Sequence, residues 1–195
     1  MLNDLVKRCA PLPSNATLCI LGAGFSGGHL AKLSKALGTR VICTRRRPES
    51  GSDDQAFDSA NGILPGHEVL ASVTHLISTI PPNKEGTDPV LTCLGEQLQK
   101  LPLQWVGYFS TTGVYGTRTG TWVVETDEPQ PPLLRGQKLL ECEQLWRESG
   151  LPVQILRLPG IYGPGRSPLA AIHSGNLTPV DQPGQMFCRI HVDDL

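Results

Sequence analysis

Short apolar runs alternate along this chain with segments in which leucines recur at helical spacing. The apolar runs that predict strands are Thr17–Leu21, Arg40–Thr44, His75–Thr79, Gln104–Ser110 and Val153–Leu158. The segments that predict helices are Ser26–Leu37, Glu68–Val73, Asp88–Leu101 and Leu133–Ser149. Nearly continuous apolar strands separated by helices are typical of a parallel sheet that is covered on both faces. We therefore predict an α/β fold with a doubly wound, Rossmann-type parallel sheet and helices on both faces.

One strand of that pattern is hard to find. Residues 48–62 are polar and irregular, and the segment Gly62–Pro65 is a poor candidate for the third strand. The turn signals are elsewhere dispersed, and no linker divides the chain.

A glycine-rich turn follows the first predicted strand and opens the first predicted helix. Gly22 suits a sharp turn, Gly24 allows a ligand to approach the backbone, and Gly27 allows the helix to pack closely on its strand. The amides at the start of that helix are suited to bind phosphate. The motif predicts a dinucleotide site, and the alternative is a glycine turn that binds no ligand.

The second predicted strand ends in Thr44, Arg45, Arg46 and Arg47, with no carboxylate at its tip. An NAD enzyme usually offers an acidic side chain to the adenine ribose at this place. Guanidinium groups would instead pair with a 2′-phosphate. The sequence thus predicts NADP(H) in preference to NAD(H), with Arg45 and Arg46 as contacts, and the alternative is a solvated basic loop.

Composition narrows the classes of function. The 195 residues carry 17 basic and 18 acidic side chains, a formal net charge of −1, so no basic excess indicates nucleic acid as a partner. No apolar run is long enough to span a bilayer, and the N-terminus lacks the apolar stretch of a secretory signal. The six cysteines form no C-x-x-C pair, so we expect no metal site and a reducing, cytoplasmic location.

Four further segments match one family in order. They are Ile80-Pro81-Pro82, the run from Tyr108 to Gly116 that ends Val-Tyr-Gly, the run Arg157-Leu-Pro159-Gly-Ile-Tyr162-Gly-Pro-Gly, and Arg189-Ile-His-Val-Asp-Asp-Leu195. Together they resemble the extended short-chain dehydrogenase/reductases, which include nucleotide-sugar epimerases and dehydratases. The residues within these motifs are most similar to the atypical branch of the family, which is described as NAD-dependent epimerase/dehydratase.

The resemblance implies roles for individual residues. Thr111, with Ser110 beside it, matches the hydroxyl residue that orients the oxygen at the reacting carbon, and Lys138 matches the lysine that binds the ribose. The cofactor contacts predicted from the glycine turn, from the end of the second strand and from the resemblance are Gly22, Gly24, Phe25, Ser26, Gly27, Thr44, Arg45, Arg46, Ser78, Thr79, Ile80, Pro81, Pro159, Gly160, Ile161 and Tyr162.

The chain departs from the family at its usual proton donor. The family uses a Tyr-x-x-x-Lys pair on one helix face, but four residues before Lys138 stands Leu134, which has no proton to donate. Tyr115 and Tyr162 are expected to pack structurally. A solvated helix-face role for Lys138 and a loop hydrogen bond for Thr111 stay open as alternatives.

The family also continues past the His-Val-Asp-Asp segment, where this chain stops, so we expect a substrate portion that is incomplete. We predict a cofactor-binding domain over residues 1–165 and the beginning of a substrate-binding portion over 166–195. The function predicted is hydride transfer at an oxygen-bearing carbon of a small molecule, with a sugar nucleotide as one candidate. The alternative is a dinucleotide-binding redox sensor or partner-binding module without turnover. The resemblance also implies a dimer contact, because the predicted helices Asp88–Leu101 and Leu133–Ser149 occupy positions through which subunits often pair in this family. We therefore expect a homodimer.

Overall fold

The structure is a computed structural model that describes residues 2–116, 120–175 and 186–195. Its helices are α1 Leu2–Arg8, α2 Phe25–Ala36, α3 His67–Leu70, α4 Pro89–Leu98, α5 Leu134–Glu148 and α6 Pro168–His173. Its strands are β1 Thr17–Leu21, β2 Arg40–Arg45, β3 Gln55–Ala56, β4 His75–Ser78, β5 Trp105–Thr111, β6 Val153–Leu158, β7 Gly160–Tyr162 and β8 Arg189–His191. Short 3₁₀ turns cover Ser59–Asn61, Thr112–Tyr115 and Val192–Asp194.

The first six strands form one parallel sheet in the order β3-β2-β1-β4-β5-β6. The chain moves outward from β1 to β3, crosses back beside β1 at β4 and continues to β6. This order has a switch point between β1 and β4, where the loops at the carboxyl ends of neighbouring strands diverge and leave a crevice. The predicted doubly wound α/β fold is confirmed.

The third strand lies where the sequence pattern did not predict it. β3 has only two residues, and it pairs with Thr44 and Arg45 of β2. Ile63, in the weak candidate segment, forms only an isolated antiparallel bridge with Asp58. Two residues cannot establish a period of alternation, so a strand this short leaves no pattern in the sequence.

Both faces of the sheet are covered by helices. On one face, α4 and α5 bury a core that includes Leu76, Val106, Leu94 and Trp146. On the other face, α2 lies over Leu18, Ile20 and Ile77. The four leucines predicted to share a face of α4 and the segment after it, namely Leu91, Leu94, Leu98 and Leu101, all pack in the first of these cores.

Asp88 joins the two helices of that face. Its carboxylate accepts hydrogen bonds from the Val90 and Leu91 amides at 2.8 and 2.9 Å, and so caps α4. Its second oxygen accepts a bond from the buried Trp146 indole at 2.8 Å, which ties α4 to α5. Burial raises the pKa of Asp88, and the hydrogen bonds only partly oppose it.

β7 and β8 form a separate parallel pair. Gly160 lies before residue 165 and Arg189 lies after it, so strands from the two predicted domains hydrogen-bond to each other. The division at residue 165 stays a prediction. Among the described residues, no helix has the length and apolar character needed to cross a membrane.

Candidate functional site

The glycine turn at the end of β1 has the geometry that its sequence predicts. Gly22 has φ +89°, and a Cβ there would lie 2.8 Å from Ile80 Cγ1 and 2.9 Å from Thr79 Oγ1. A Cβ at Gly27 would lie 2.7 Å from the Gly22 carbonyl oxygen. A Cβ at Gly24 would instead meet nothing closer than 4.0 Å. Of these three glycines, Gly24 is therefore the one with open space beside its Cα, where a ligand can approach the backbone.

Hydrogen bonds from two neighbouring strand ends hold this turn. Thr44 Oγ1 accepts from the Gly22 amide at 3.1 Å, and the Thr44 carbonyl accepts from the Ala23 amide at 2.8 Å. Thr79 Oγ1 donates to the Gly22 carbonyl at 2.5 Å. Thr44 and Thr79, predicted as cofactor contacts, thus fix the shape of the turn.

A cleft of about 830 Å³ lies along the carboxyl edge of the sheet. The predicted site residues that line it are Gly22, Gly24, Phe25, Ser26, Thr44, Arg45, Arg46, Thr79, Ile80, Pro81, Ser110, Thr111, Pro159, Gly160 and Ile161. Four predicted residues lie outside this lining: Gly27, Ser78, Lys138 and Tyr162. Gly27 and Ser78 are buried behind the turn and the sheet edge.

Basic side chains surround the end of β2. Arg45, Arg46 and Arg47 all line the cleft. Arg45 Nε donates to Asp54 Oδ2 at 2.5 Å, so a carboxylate from the segment before β3 holds this guanidinium at the cleft wall. Arg46 and Arg47 have no ion pair with any described residue.

A buried carboxylate lies behind the ends of β5 and β6. Glu143 of α5 has no exposed surface, and it accepts a bond from Ser110 Oγ at 2.5 Å. Arg157 of β6 binds the same carboxylate through Nε and Nη2 at 2.7 to 3.1 Å, and Arg147 adds a bond at 2.9 Å. Burial alone would raise the pKa of Glu143, but the bonds from Arg157 and Ser110 outweigh it and lower the pKa.

This network gives Ser110 a structural partner, while Thr111 remains at the cleft. The Thr111 side chain accepts from the Gly113 amide at 3.2 Å, which caps the 3₁₀ turn after β5. Thr111 therefore makes the loop hydrogen bond that was one alternative from the sequence, and it also lines the cleft. A catalytic role for either residue stays a prediction.

Lys138, in the second turn of α5, is not among the residues that line the cleft. Lys138 Nζ donates to the Lys84 carbonyl, and its stem packs against Gly86. Leu134 is 65% exposed. Arg135, which sequence reasoning did not single out, is the α5 residue in the cleft lining.

None of the three tyrosines is in the described lining of the cleft. Tyr108 is fully buried beside Trp146, with ring centroids 5.4 Å apart. Tyr115 accepts a bond from Arg157 Nη1 at 2.9 Å, and Tyr162 contacts His191 edge to face. The packing roles expected for Tyr115 and Tyr162 agree with these contacts.

The residues missed by sequence reasoning are Asp54, Arg135, Glu143 and Arg166. Arg166 lies over the Phe25 ring, with Cζ 5.3 Å from the ring centroid, and it also lines the cleft. Only its place directly after the Tyr-Gly-Pro-Gly motif could have indicated it. Among the described residues, no group of three or more His, Cys, Asp or Glu side chains could hold a metal ion.

Comparison with known proteins gives a consistent result. No family model matches the chain. It is 38% identical to a functionally unknown conserved protein from Silicibacter pomeroyi DSS, with a TM-score of 0.79. It is 30% identical to a protein from Methylobacillus flagellatus provisionally named a NAD-dependent epimerase/dehydratase, with a TM-score of 0.69. The chain has the fold of the NAD-dependent epimerases and dehydratases. This confirms the resemblance found in its motifs.

The similarity to these proteins covers most of this chain but only part of theirs. The similarity covers 91% of this chain and 64% of the Silicibacter protein, and 92% of this chain and 66% of the Methylobacillus epimerase/dehydratase. A stretch of 90 residues is 33% identical to Protein YeeZ of Escherichia coli K12, and it spans 45% of this chain and 31% of YeeZ. A structure of MoeE5 with UDP-glucose and NAD has the same fold at 22% identity and a TM-score of 0.72. The chain therefore spans less than two thirds of the length of the first relatives it matches.

Proposed function

We propose that this chain binds NADP(H) in the cleft and transfers a hydride at an oxygen-bearing carbon of a small molecule, with sugar nucleotides as the first candidates. The observation that carries the proposal is the glycine turn. Gly22 and Gly27 are packed too closely to accommodate a side chain, and Gly24, between them in the sequence, has open space beside it and lines the cleft. That combination suits a pyrophosphate resting on the amides of Gly24, Phe25 and Ser26.

The preference for NADP(H) is supported by charge at the β2 end. Arg45 and Arg46 line the cleft at the end of β2, and Asp54, the carboxylate that binds Arg45, is occupied by that ion pair. An acidic side chain free to bind both ribose hydroxyls is what an NAD site would need. The Methylobacillus protein and MoeE5 are described with NAD, so the proposed preference for NADP(H) is supported only by the arginines of this chain.

The chemistry rests on the opposite end of the cleft. A nicotinamide cofactor supplies or accepts a hydride when bound. Thr111 would orient the oxygen of the reacting carbon, while Pro159, Gly160 and Ile161 form the wall beside it. The proton that balances hydride transfer would not come from a tyrosine, because all three tyrosines lie outside the cleft lining.

A second function is favoured by one specific observation. Leu134 stands where the family has its tyrosine, and Lys138 is bound to the Lys84 carbonyl rather than directed to the cleft. A domain of this kind could bind a dinucleotide and turn nothing over, acting as a redox sensor or a partner-binding module. A homodimer through α4 and α5 would be compatible with either function.

Two measurements test the proposal. Calorimetric titration with NADPH and NADH should give the tighter dissociation constant for NADPH. Absorbance of reduced nicotinamide should then fall when the complex meets the right member of a panel of aldehydes, ketones and sugar nucleotides. Binding without turnover across the panel would favour the sensor, and the absence of binding by either cofactor would refute both.

A further inference from the structure

The lining of the cleft is far more basic than the chain as a whole. Among the described residues, five arginines line it together with a single carboxylate, Asp58, whereas the formal net charge of the chain is −1. Three of the arginines are Arg45, Arg46 and Arg47 at the end of β2. The other two, Arg135 and Arg166, come from segments that follow β5 and β6.

Arg166 lies over the Phe25 ring beside the glycine turn, so the positive charge at the β5 end of the cleft is that of Arg135. One phosphate cannot span the ends of β2 and β5. In the sheet order, β1 and β4 lie between β2 and β5, and neighbouring strands are about 4.8 Å apart, so the ends of β2 and β5 are separated by about 14 Å. If the β2 arginines bind the 2′-phosphate of the cofactor, the positive charge at the β5 end is left for another anion.

Arg135 is the side chain best placed to bind that anion. It is exposed, it lines the cleft with Thr111, and it has no ion pair or hydrogen bond with any described residue. Arg45, in contrast, is paired with Asp54, and Arg166 lies over Phe25.

The backbone that carries Arg135 is fixed. A Cβ at Gly136 would lie 2.8 Å from Pro131 Cβ and 3.5 Å from the Gly113 carbonyl, so the first turn of α5 packs closely on the loop after β5. This packing keeps Arg135 at the end of the cleft where Thr111 lies.

We propose that Arg135 binds an anionic group of the substrate, a carboxylate or a phosphate, at the β5 end of the cleft. A guanidinium can donate two parallel hydrogen bonds to either group, and it stays protonated, so it serves as a binding residue and not as the proton donor. The inference rests on the proposed function, because it takes a dinucleotide to occupy the rest of the cleft.

The test uses matched pairs of probes on the full chain saturated with NADP⁺. UDP-glucuronic acid is compared with UDP-glucose for a carboxylate, and glucose 6-phosphate is compared with glucose for a phosphate, each by calorimetry. At least one charged probe should bind about tenfold or more tightly than its neutral partner, as expected for a charge-assisted hydrogen bond. Arg135→Gln should abolish that difference, and Arg135→Lys should retain part of it.

Arg40→Gln removes the same charge at the opposite edge of the sheet and should leave the difference unchanged. The proposal would be overturned if neither charged probe binds more tightly than its neutral partner, or if no probe binds at all. It would also be overturned if the preference for a charged probe persists in Arg135→Gln. A loss of NADP⁺ affinity in Arg135→Gln would also overturn it, since Arg135 would then contact the cofactor. If wild-type protein binds no NADP⁺, the proposed function itself fails, and that result is separate from the probe comparison.

Discussion

Glu143 is the residue on which the ends of β5 and β6 depend. It is a carboxylate without exposed surface that binds Ser110 from one strand and Arg157 from the next. Arg157 also donates to Tyr115, so one acid connects α5, two strands and the 3₁₀ turn after β5. Hydrogen bonding with Glu143 raises the pKa of Arg157, and this pair stays charged at neutral pH.

Replacing Glu143 with glutamine should strongly destabilise the fold. Removing one partner of a buried ion pair leaves the other without compensation and typically costs about 3–5 kcal/mol. Urea unfolding would measure the loss, with Glu141→Gln as the control because Glu141 is exposed on the same helix. A loss below about 1 kcal/mol, the range of an exposed ion pair, would contradict a central role for Glu143.

Arg46 tests the cofactor preference without disturbing an ion pair within the described chain. Arg46→Gln should weaken NADPH binding by about 10- to 100-fold, the equivalent of one charged hydrogen bond, and leave NADH binding nearly unchanged. Titrations of both cofactors against wild type and Arg40→Gln would check this. An equal effect on the two cofactors would mean that Arg46 does not contact the 2′-phosphate.

At the scale of elements, the glycine turn sets how closely α2 approaches β1. Gly27 and Gly28 are neighbours in the first turns of α2, but a Cβ at Gly27 would lie 2.7 Å from the Gly22 carbonyl, and one at Gly28 would lie 3.6 Å from the Ala23 carbonyl. Backbone atoms cannot move aside as the end of a flexible side chain can.

Gly27→Ala should therefore destabilise the protein by about 1–3 kcal/mol and weaken cofactor binding, because the turn must open to admit the methyl group. Gly28→Ala should be neutral or stabilising by up to about 1 kcal/mol, since alanine is the better helix former. Thermal unfolding and NADPH titration of the two variants form a matched comparison. Similar effects at both positions would contradict the close packing at Gly27.

The elements that could be predicted from sequence are those with enough residues to show a period. β1 and β6 were predicted with the bounds that the structure has, because each is a short and mostly apolar run. The two-residue β3 was not found, nor were α1 or the β7–β8 pair, whose strands have three residues each.

The candidate site divides in the same way. The glycine turn is local, so its residues could be found from spacing alone. Glu143 binds Ser110 from 33 positions away along the chain, and no local pattern carries that pairing. The role of Lys138 stays a prediction, because the family position implies a ribose contact while in this structure its Nζ donates to the Lys84 carbonyl of the 83–88 loop.

At the scale of the whole molecule, two buried carboxylates act on stability in opposite directions as pH changes. The pKa of Glu143 is lowered by folding, so its contribution is complete above its unfolded value near 4.5 and is lost as pH falls through the folded value. The pKa of Asp88 is raised from 3.8, so its charged form costs stability, and acidification relieves that cost.

The two acids can be separated by measuring the free energy of unfolding between pH 7 and pH 3.5 in wild type, Glu143→Gln and Asp88→Asn. The penalty of Glu143→Gln should be largest at neutral pH and should shrink below about pH 4.5, because the unfolded chain then binds a proton at Glu143 that the folded carboxylate takes up only at lower pH. The penalty of Asp88→Asn should change in the other direction and grow as pH falls, because the uncharged carboxyl is the form that the fold prefers there. Glu141→Gln, which removes an exposed carboxylate from the same helix, again serves as the control. If the penalties of Glu143→Gln and Asp88→Asn change with pH in the same direction, the opposite pKa shifts are contradicted. The distinction between Glu143, which is bound by arginines, and Asp88, which is bound by amides and an indole, would then fail as well.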